Sequence, residues 1–149
     1  PAAELPEFEQ DGVSMRLIVG TAFGEAAPAR VFSPIFWLDT RATKGARVPL
    51  PEEHPERAVY VVEGGVAIDG REIARGTMAV LRDDAPAEIT ATEHSRLMLA
   101  GGSPLDGPRH LWWNFVSSSK ERIDRAKDDW RAGRFASVPG DDEFIPLPE

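Results

Sequence analysis

The dipeptide Asp69-Gly70 constrains this chain more than any other feature. It sits between two apolar, partly β-branched runs in "RAVYVVEGGVAIDGREIARGTMAVL". A two-residue type I′ turn needs positive φ at both central positions, which Asp-Gly tolerates. The flanking strands, expected at 59–68 and 71–74, therefore pair antiparallel, and Gly76 turns the chain again into "TMAVL". Other short runs repeat the theme. "VSMRLIVGTAFG" is a strand ending near Gly20. "SPIFWLDTR" puts Phe36 and Leu38 on one face and Ile35, Trp37 and Asp39 on the other. "AEITA" and "SRLMLAGG" are two more strands, and "RHLWWNFV" is the last. Thirteen glycines and thirteen prolines punctuate these runs, as expected of a β domain with many turns. Eight or so strands with one C-terminal helix predict an all-β small barrel or double-sheet jelly roll.

The helix begins in "SSSKERIDRAKDDWRAG". Ser118 and Glu121, three apart, read as a capping box, so the three serines are better explained by capping than as nucleophiles. Ile123, Ala126 and Trp130 recur at helical spacing, and Gly133 is a natural stop. One domain is expected over 1–149, with the barrel at about 13–116, the helix at about 118–132 and an extended Pro-rich tail at 134–149. The apolar stripe of Ile123 and Trp130, with Phe135 just beyond, is larger than one small helix needs. It is either a docking or self-association face or the side that folds back on the chain's own barrel.

Charge and composition exclude several functions. A net charge of −8 disfavours phosphate backbones, and the Lys and Arg of the helix alternate with Glu and Asp, so direct nucleic-acid binding is not expected. With no cysteine there is no disulfide, no thiolate metal site and no cysteine nucleophile. No run of about 18 apolar residues is present to span a membrane, and the polar, acidic start does not read as a signal peptide. A cytoplasmic location is the expectation.

At "VYVVEGGVAIDGREIARGTMAVL" the chain resembles a cupin. At "PLDGPRHLWWNFVSSSKERIDRAKDDWRAGRF" and "VPGDDEFIPLP" the likeness sharpens to the C-terminal cupin domain of the pirin family. "MRLIVGTAFG" and "FSPIFWLDTRATKGARVPLP" extend it over nearly the whole chain. The resemblance implies a cupin-type jelly roll, one half of a bicupin. It also implies that an iron-type metal site of three His and one Glu, underlying quercetin dioxygenase activity, belongs to an N-terminal domain. The C-terminal domain of the family generally carries no metal, and animal members are nuclear transcription cofactors. On this likeness the chain is either a piece of a two-domain protein or a stand-alone relative. Its expected partner is an N-terminal cupin domain or a second copy.

The cupin ligand pattern can be laid on the sequence. From Gly45, the two His positions of the first motif fall on Pro51 and Glu53, the Glu position on Arg57 and the closing glycine on Gly64. One residue later they fall on Glu52, His54 and Ala58, closing at Gly65. From Gly76, the second motif falls on Arg82, Asp84, Ala87 and Ala91. The glycine frame survives and the ligands do not. A mononuclear oxygenase site needs at least three protein ligands on one face. Only His54, Glu52 and His94, with His110 beside the tryptophans, remain as metal candidates. As a turn residue among Glu52, Glu53 and Glu56, His54 would meet water or a neighbouring carboxylate; the alternative is a polar role inside a small pocket. Two functions follow. The favoured one is a non-catalytic, metal-free cupin that serves structure and docking. The rival is a metal-dependent dioxygenase centred on His54. A third reading, a small-molecule carrier, needs a cavity lined by Trp37 and Trp112.

Overall fold

The computed structural model describes residues 5–82 and 86–148. The chain divides into two compact units, Pro1–Pro104 and Leu105–Glu149. The first is a two-sheet antiparallel sandwich. Its strands are β1 (Glu7–Gln10), β2 (Val13–Ala22), β3 (Glu25–Ala26), β4 (Ile35–Ala42), β5 (Arg47–Val48), β6 (Glu56–Glu63), β7 (Gly65–Ile68), β8 (Arg71–Ala74), β9 (Met78–Val80), β10 (Ile89–Ala91) and β11 (Ser95–Gly102). The large sheet runs β1-β2-β4-β11-β6-β9, with β3 paired to β2, and the small sheet runs β5-β10-β7-β8. Neighbours far apart in sequence, such as β4 with β11 in one sheet and β5 with β10 in the other, mark crossover connections, the jelly-roll arrangement.

The Asp69-Gly70 turn forms as expected, with φ of 49° and 79° and Ile68 paired to Arg71. Asp69 also anchors β10: its backbone N–H donates to the Glu88 carbonyl, and its carboxylate accepts from the Glu88 N–H, both at 2.9 Å. The expected strand 59–68 is two strands in two sheets. The break is Gly64 at φ 73°, where an added Cβ would lie 2.4 Å from the carbonyl oxygen of His94. Only glycine fits this corner. Buried Ser95 secures it, its hydroxyl lying 2.8 Å from the Gly65 carbonyl and 3.1 Å from the Gly65 N–H.

Alternation builds the core. On β4 every second residue is buried, β2 does the same on either side of a phase shift at Ile18–Val19, and Leu17, Leu38, Val59, Val61, Leu97 and Leu99 are wholly inaccessible. The small sheet adds Val48, Val66, Ile68, Ile89 and Ala91 from the facing side. Full burial of each such aliphatic chain stabilises the fold by about 1.5–3 kcal/mol before entropy is counted.

Outside the large sheet, Arg96 grips Asp39 through two parallel bonds, Nε to Oδ1 at 2.9 Å and Nη2 to Oδ2 at 2.8 Å. The hydrogen bonds from Arg96, helped by the charges of Arg96, Arg41 and Arg16, hold the Asp39 carboxyl below its ordinary value of 3.8. A depressed carboxylate stabilises the fold above its unfolded value, and that contribution is lost as pH falls through the folded value. Asp39→Asn is thus expected to lower the melting temperature by a constant amount at neutral pH. The gap to wild type should close below pH 3.8, which thermal melts across an acid series would show.

The second unit holds β12 (His110–Trp112), β13 (Phe115–Ser117) and α1 (Lys120–Arg131). The run expected as one last barrel strand is instead a hairpin of its own, and it joins neither sheet of the sandwich. The barrel expected to reach residue 116 has its last strand end at Gly102. Trp113, at φ 51°, occupies the turn, a position where few bulky residues are found, and nothing in its identity signals it. The helix starts one residue later than the expected capping box. Ser119 is the N-cap, accepting from the Arg122 N–H at 3.3 Å, and its hydroxyl donates to Glu121 at 2.7 Å. At its other end Gly133 (φ 64°) donates to Trp130 O and Arg134 N–H to Asp129 O, the paired bonds of a Schellman motif.

Candidate functional site

The residue on which any metal reading turns is His54. The turn 51–55 is acidic, and Glu52, Glu53 and Glu56 do face solvent. His54 does not. It is 3% exposed, with its ring 4.9 Å from that of Phe36 and tilted by 37°. Its Nε2 lies 2.8 Å from the carbonyl oxygen of Thr21. A carbonyl can only accept, so Nε2 carries the hydrogen and in the neutral ring Nδ1 keeps the lone pair. Nδ1 is buried without a hydrogen-bond partner. The surface-turn expectation is therefore corrected: contact with residues 33 and 18 positions earlier pulls the imidazole inside, and neither Glu52 nor Glu56 is its partner.

Neither Glu-ligand position of the cupin frame supplies a carboxylate beside it in sequence. Gly101 pairs with Phe36 on one side and with Arg57 on the other. Arg57, at the Glu-ligand position of one cupin register, is 7% exposed and points inward, so a guanidinium shares this end of the interior. Ala58, the Glu-ligand position of the other register, has no donor. Of the second motif, Arg82 is exposed, Ala87 half-buried and Ala91 buried, and Asp84 lies outside the described residues.

His94 is not beside His54. It precedes Ser95 at the start of β11, whereas Gly101, near Phe36 and His54, is at the far end. Six residues of strand put these ends about 20 Å apart. His94 lines an open cleft of about 610 Å³ with Glu9, Asp11, Arg41, Glu63 and Arg96. His110 is in β12 of the second unit. Among the described residues no three His, Asp or Glu side chains form a group able to hold a metal. A single buried imidazole, with arginine or alanine at the Glu-ligand position, does not fit the three-His, one-Glu site implied by the resemblance.

The aromatic candidates also separate. Trp37 is on the outer face of the large sheet, half-exposed, with its Nε1 donating to Met98 Sδ at 3.3 Å. It lines no interior cavity, so the carrier reading loses its first wall. Trp112 belongs to the second unit, where Lys127 sits 4.2 Å above its ring. In the helix stripe, Ile123 is buried. Trp130 packs against Trp113, Phe135 and Phe144 at ring distances of 5.1, 5.5 and 6.3 Å, and its Nε1 donates to the Ile145 carbonyl at 2.7 Å. Most of the stripe is used within its own unit. Phe135 remains about half-exposed. One buried polar group escaped the sequence reading. Thr40 is wholly inaccessible and its hydroxyl has no hydrogen-bond partner, although its parity with Phe36 and Leu38 already places it inward.

The family described as the pirin C-terminal cupin domain matches residues 37–136. The chain belongs to the pirin family. It is 48% identical over 149 residues to a pirin-like protein of Caulobacter vibrioides, covering 99% of this chain and 51% of that protein. It is 29% identical over 136 residues to human pirin, covering 86% of this chain and 47% of that protein. A crystal structure of a quercetin 2,3-dioxygenase from Acinetobacter baumannii superposes with a TM-score of 0.83 at 29% identity, over 97% of this chain and 50% of that one. The cupin fold expected from the sequence is thus shown. The chain spans about half the length of these pirin-family relatives. Among the described residues no helix is long and apolar enough to cross a membrane.

Proposed function

We propose that this chain is a non-catalytic, metal-free pirin cupin that works as a structural and docking module in the cytoplasm. The observation that carries the reading is the orientation of His54. The one histidine on the cupin ligand frame has its Nε2 committed to Thr21 and its ring packed, tilted, against Phe36. The neighbouring Glu52, Glu53 and Glu56 face water, and the Glu-ligand position of the frame holds Arg57 or Ala58. Quercetin dioxygenase chemistry, in the name of the Acinetobacter protein, would on this reading reside elsewhere in a longer pirin. The absence of cysteine supports a reducing compartment. The stripe of Ile123, Trp130 and Phe135 takes part in docking only through the exposed side of Phe135.

The test is metal stoichiometry and turnover on the same chain. After separate loading with Fe(II), Ni(II) and Zn(II) and desalting, plasma mass spectrometry should find far less than one metal per chain. The loaded protein should leave quercetin unconsumed. A stoichiometry near one that falls in His54→Ala, or quercetin turnover above that of free metal, would overturn the proposal and restore the dioxygenase reading.

A further inference from the structure

Residues 144–148, Phe-Ile-Pro-Leu-Pro, have no regular structure and keep apolar side chains in water, Phe144 being 60% exposed and Ile145 55%. Two contacts seat them. The Trp130 Nε1 donates to the Ile145 carbonyl at 2.7 Å, and the Phe144 ring lies 6.3 Å from the indole. Among the described residues no other hydrogen bond reaches this segment. The surface beneath it is built without it. Trp130, on α1, meets Trp113 at 5.1 Å and Phe115 at 6.2 Å from the β12–β13 hairpin, and Phe135 at 5.5 Å. Helix and hairpin therefore keep an aromatic platform whether or not 144–148 is seated.

We propose that this platform is a docking groove for an extended aromatic-aliphatic-Pro-x-Pro segment of another protein, and that 144–148 is its internal competitor, a strap that lifts to admit the partner. The proposal deepens the docking role given above, which the seated strap leaves to Phe135 alone. The occupant defines the chemistry. A proline pushes the residue before it into extended backbone, and Ile145 and Leu147 each precede one. Such a segment is preset in shape and gives up little entropy on docking, which is how aromatic-lined grooves recognise proline-rich peptides. The indole N–H adds one directional bond to a ring that is otherwise apolar. Extended chain, rather than a folded face, already fills the surface, which selects a linear segment as the partner. Charge takes no part in the fit. Asp141, Asp142 and Glu143 make no ion pair among the described residues, and the neighbouring Arg131 and Arg134 are paired with Asp128 and Asp129. One hydrogen bond and one ring contact, each worth about fivefold in an equilibrium, make a strap that opens without unfolding what it covers.

The test titrates the 149-residue chain, ¹⁵N-labelled at tryptophan, with the nitroxide-tagged peptide DDEFIPLPE, the sequence of 141–149. Nitroxide broadens signals near its binding site. The Trp130 indole N–H, assigned by its absence from Trp130→Phe, should fade as the peptide saturates. The tethered strap competes at an effective concentration of about a millimolar, so wild type should bind weakly. Phe144→Ala, which removes the strap's ring contact at an exposed position, should bind the peptide about fivefold more tightly with unchanged melts. A peptide with both prolines replaced by alanine should bind at least about fivefold more weakly, and this arm needs no change in the protein. The Trp130 indole hydrogen should also exchange well before the amides of β4 and β11. Broadening that spares Trp130, equal affinity for wild type and Phe144→Ala, or indifference to the prolines would overturn the proposal. So would an indole hydrogen protected as long as the core, since the strap would then never lift. A dimer in light scattering that Phe144→Ala disperses would give the groove to a second copy's segment and overturn it as well. None of these readouts involves a metal, so the strap and the metal-free reading can fail separately.

Discussion

Phe36→Ala is expected to destabilise the chain by about 3–5 kcal/mol, the range for truncating a buried phenylalanine. Phe36 is 2% exposed and carries three contacts at once. Its ring supports the imidazole of His54 at 4.9 Å. Its Cε1 lies 2.5 Å from where a Cβ on Gly101 would stand, so the ring occupies the space that the glycine leaves open. It also closes the end of a core whose neighbouring layer, Leu17, Leu38 and Leu99, is fully buried. Close packing of this kind relaxes only partly when a ring is removed. Equilibrium urea unfolding should show the midpoint fall with little change in slope. A loss below about 1 kcal/mol would mean that this end of the interior is loosely packed. Gly101→Ala makes the complementary case, and Phe36→Ala is not expected to rescue it. The added methyl would still lie 2.1 Å from the carbonyl oxygen of Glu56, and backbone cannot step aside as a ring can.

How much was legible in advance depended on the range of the forces involved. The Asp69-Gly70 hairpin and the helix stop at Gly133 are local, set by the φ tolerance of two or three residues, and both were readable. The same signal at Asp11-Gly12, φ 46° and 81°, joins β1 to β2 and could have been read from "EQDGV" as readily. The Trp113 turn was not readable, because a tryptophan at positive φ opposes local preference and is held by its ring contacts with Phe115 and Trp130. Nor was the split at Gly64, since a run of alternating residues does not say where it changes sheets. Parity on β4 correctly assigned Phe36 and Leu38 to the inside. It could not show that outward Trp37 would align with Ala100, Ala58 and Val80, because that row exists only once four distant strands are in register. For the candidate site, the missing cupin ligands were plain from spacing. The burial of His54 was not, because its neighbours in sequence are glutamates and its neighbours in space are Phe36 and Thr21.

That difference makes His54 the sharpest probe of what the site is for. His54→Ala should cost about 2–4 kcal/mol, the sum of a ring's packing and a hydrogen bond net worth about 1 kcal/mol. His54→Gln should recover part of it, about 1 kcal/mol, because a glutamine amide nitrogen can donate to the Thr21 carbonyl as Nε2 does, while the ring contact with Phe36 is lost. Neither substitution should change metal content. A ligand histidine predicts the opposite pattern. Its lone pair would be spent on the ion, so both variants would lose metal, and stability would fall only in metal-loaded protein because ligand binding is folding energy. The two cases separate when urea midpoints of wild type, His54→Ala and His54→Gln are measured with chelator and again with Fe(II). If the three midpoints keep the same spacing in both conditions, the imidazole is a core residue. A spacing that opens only with the metal present would make Nδ1, buried and without a partner, the first ligand of a site completed by groups that move.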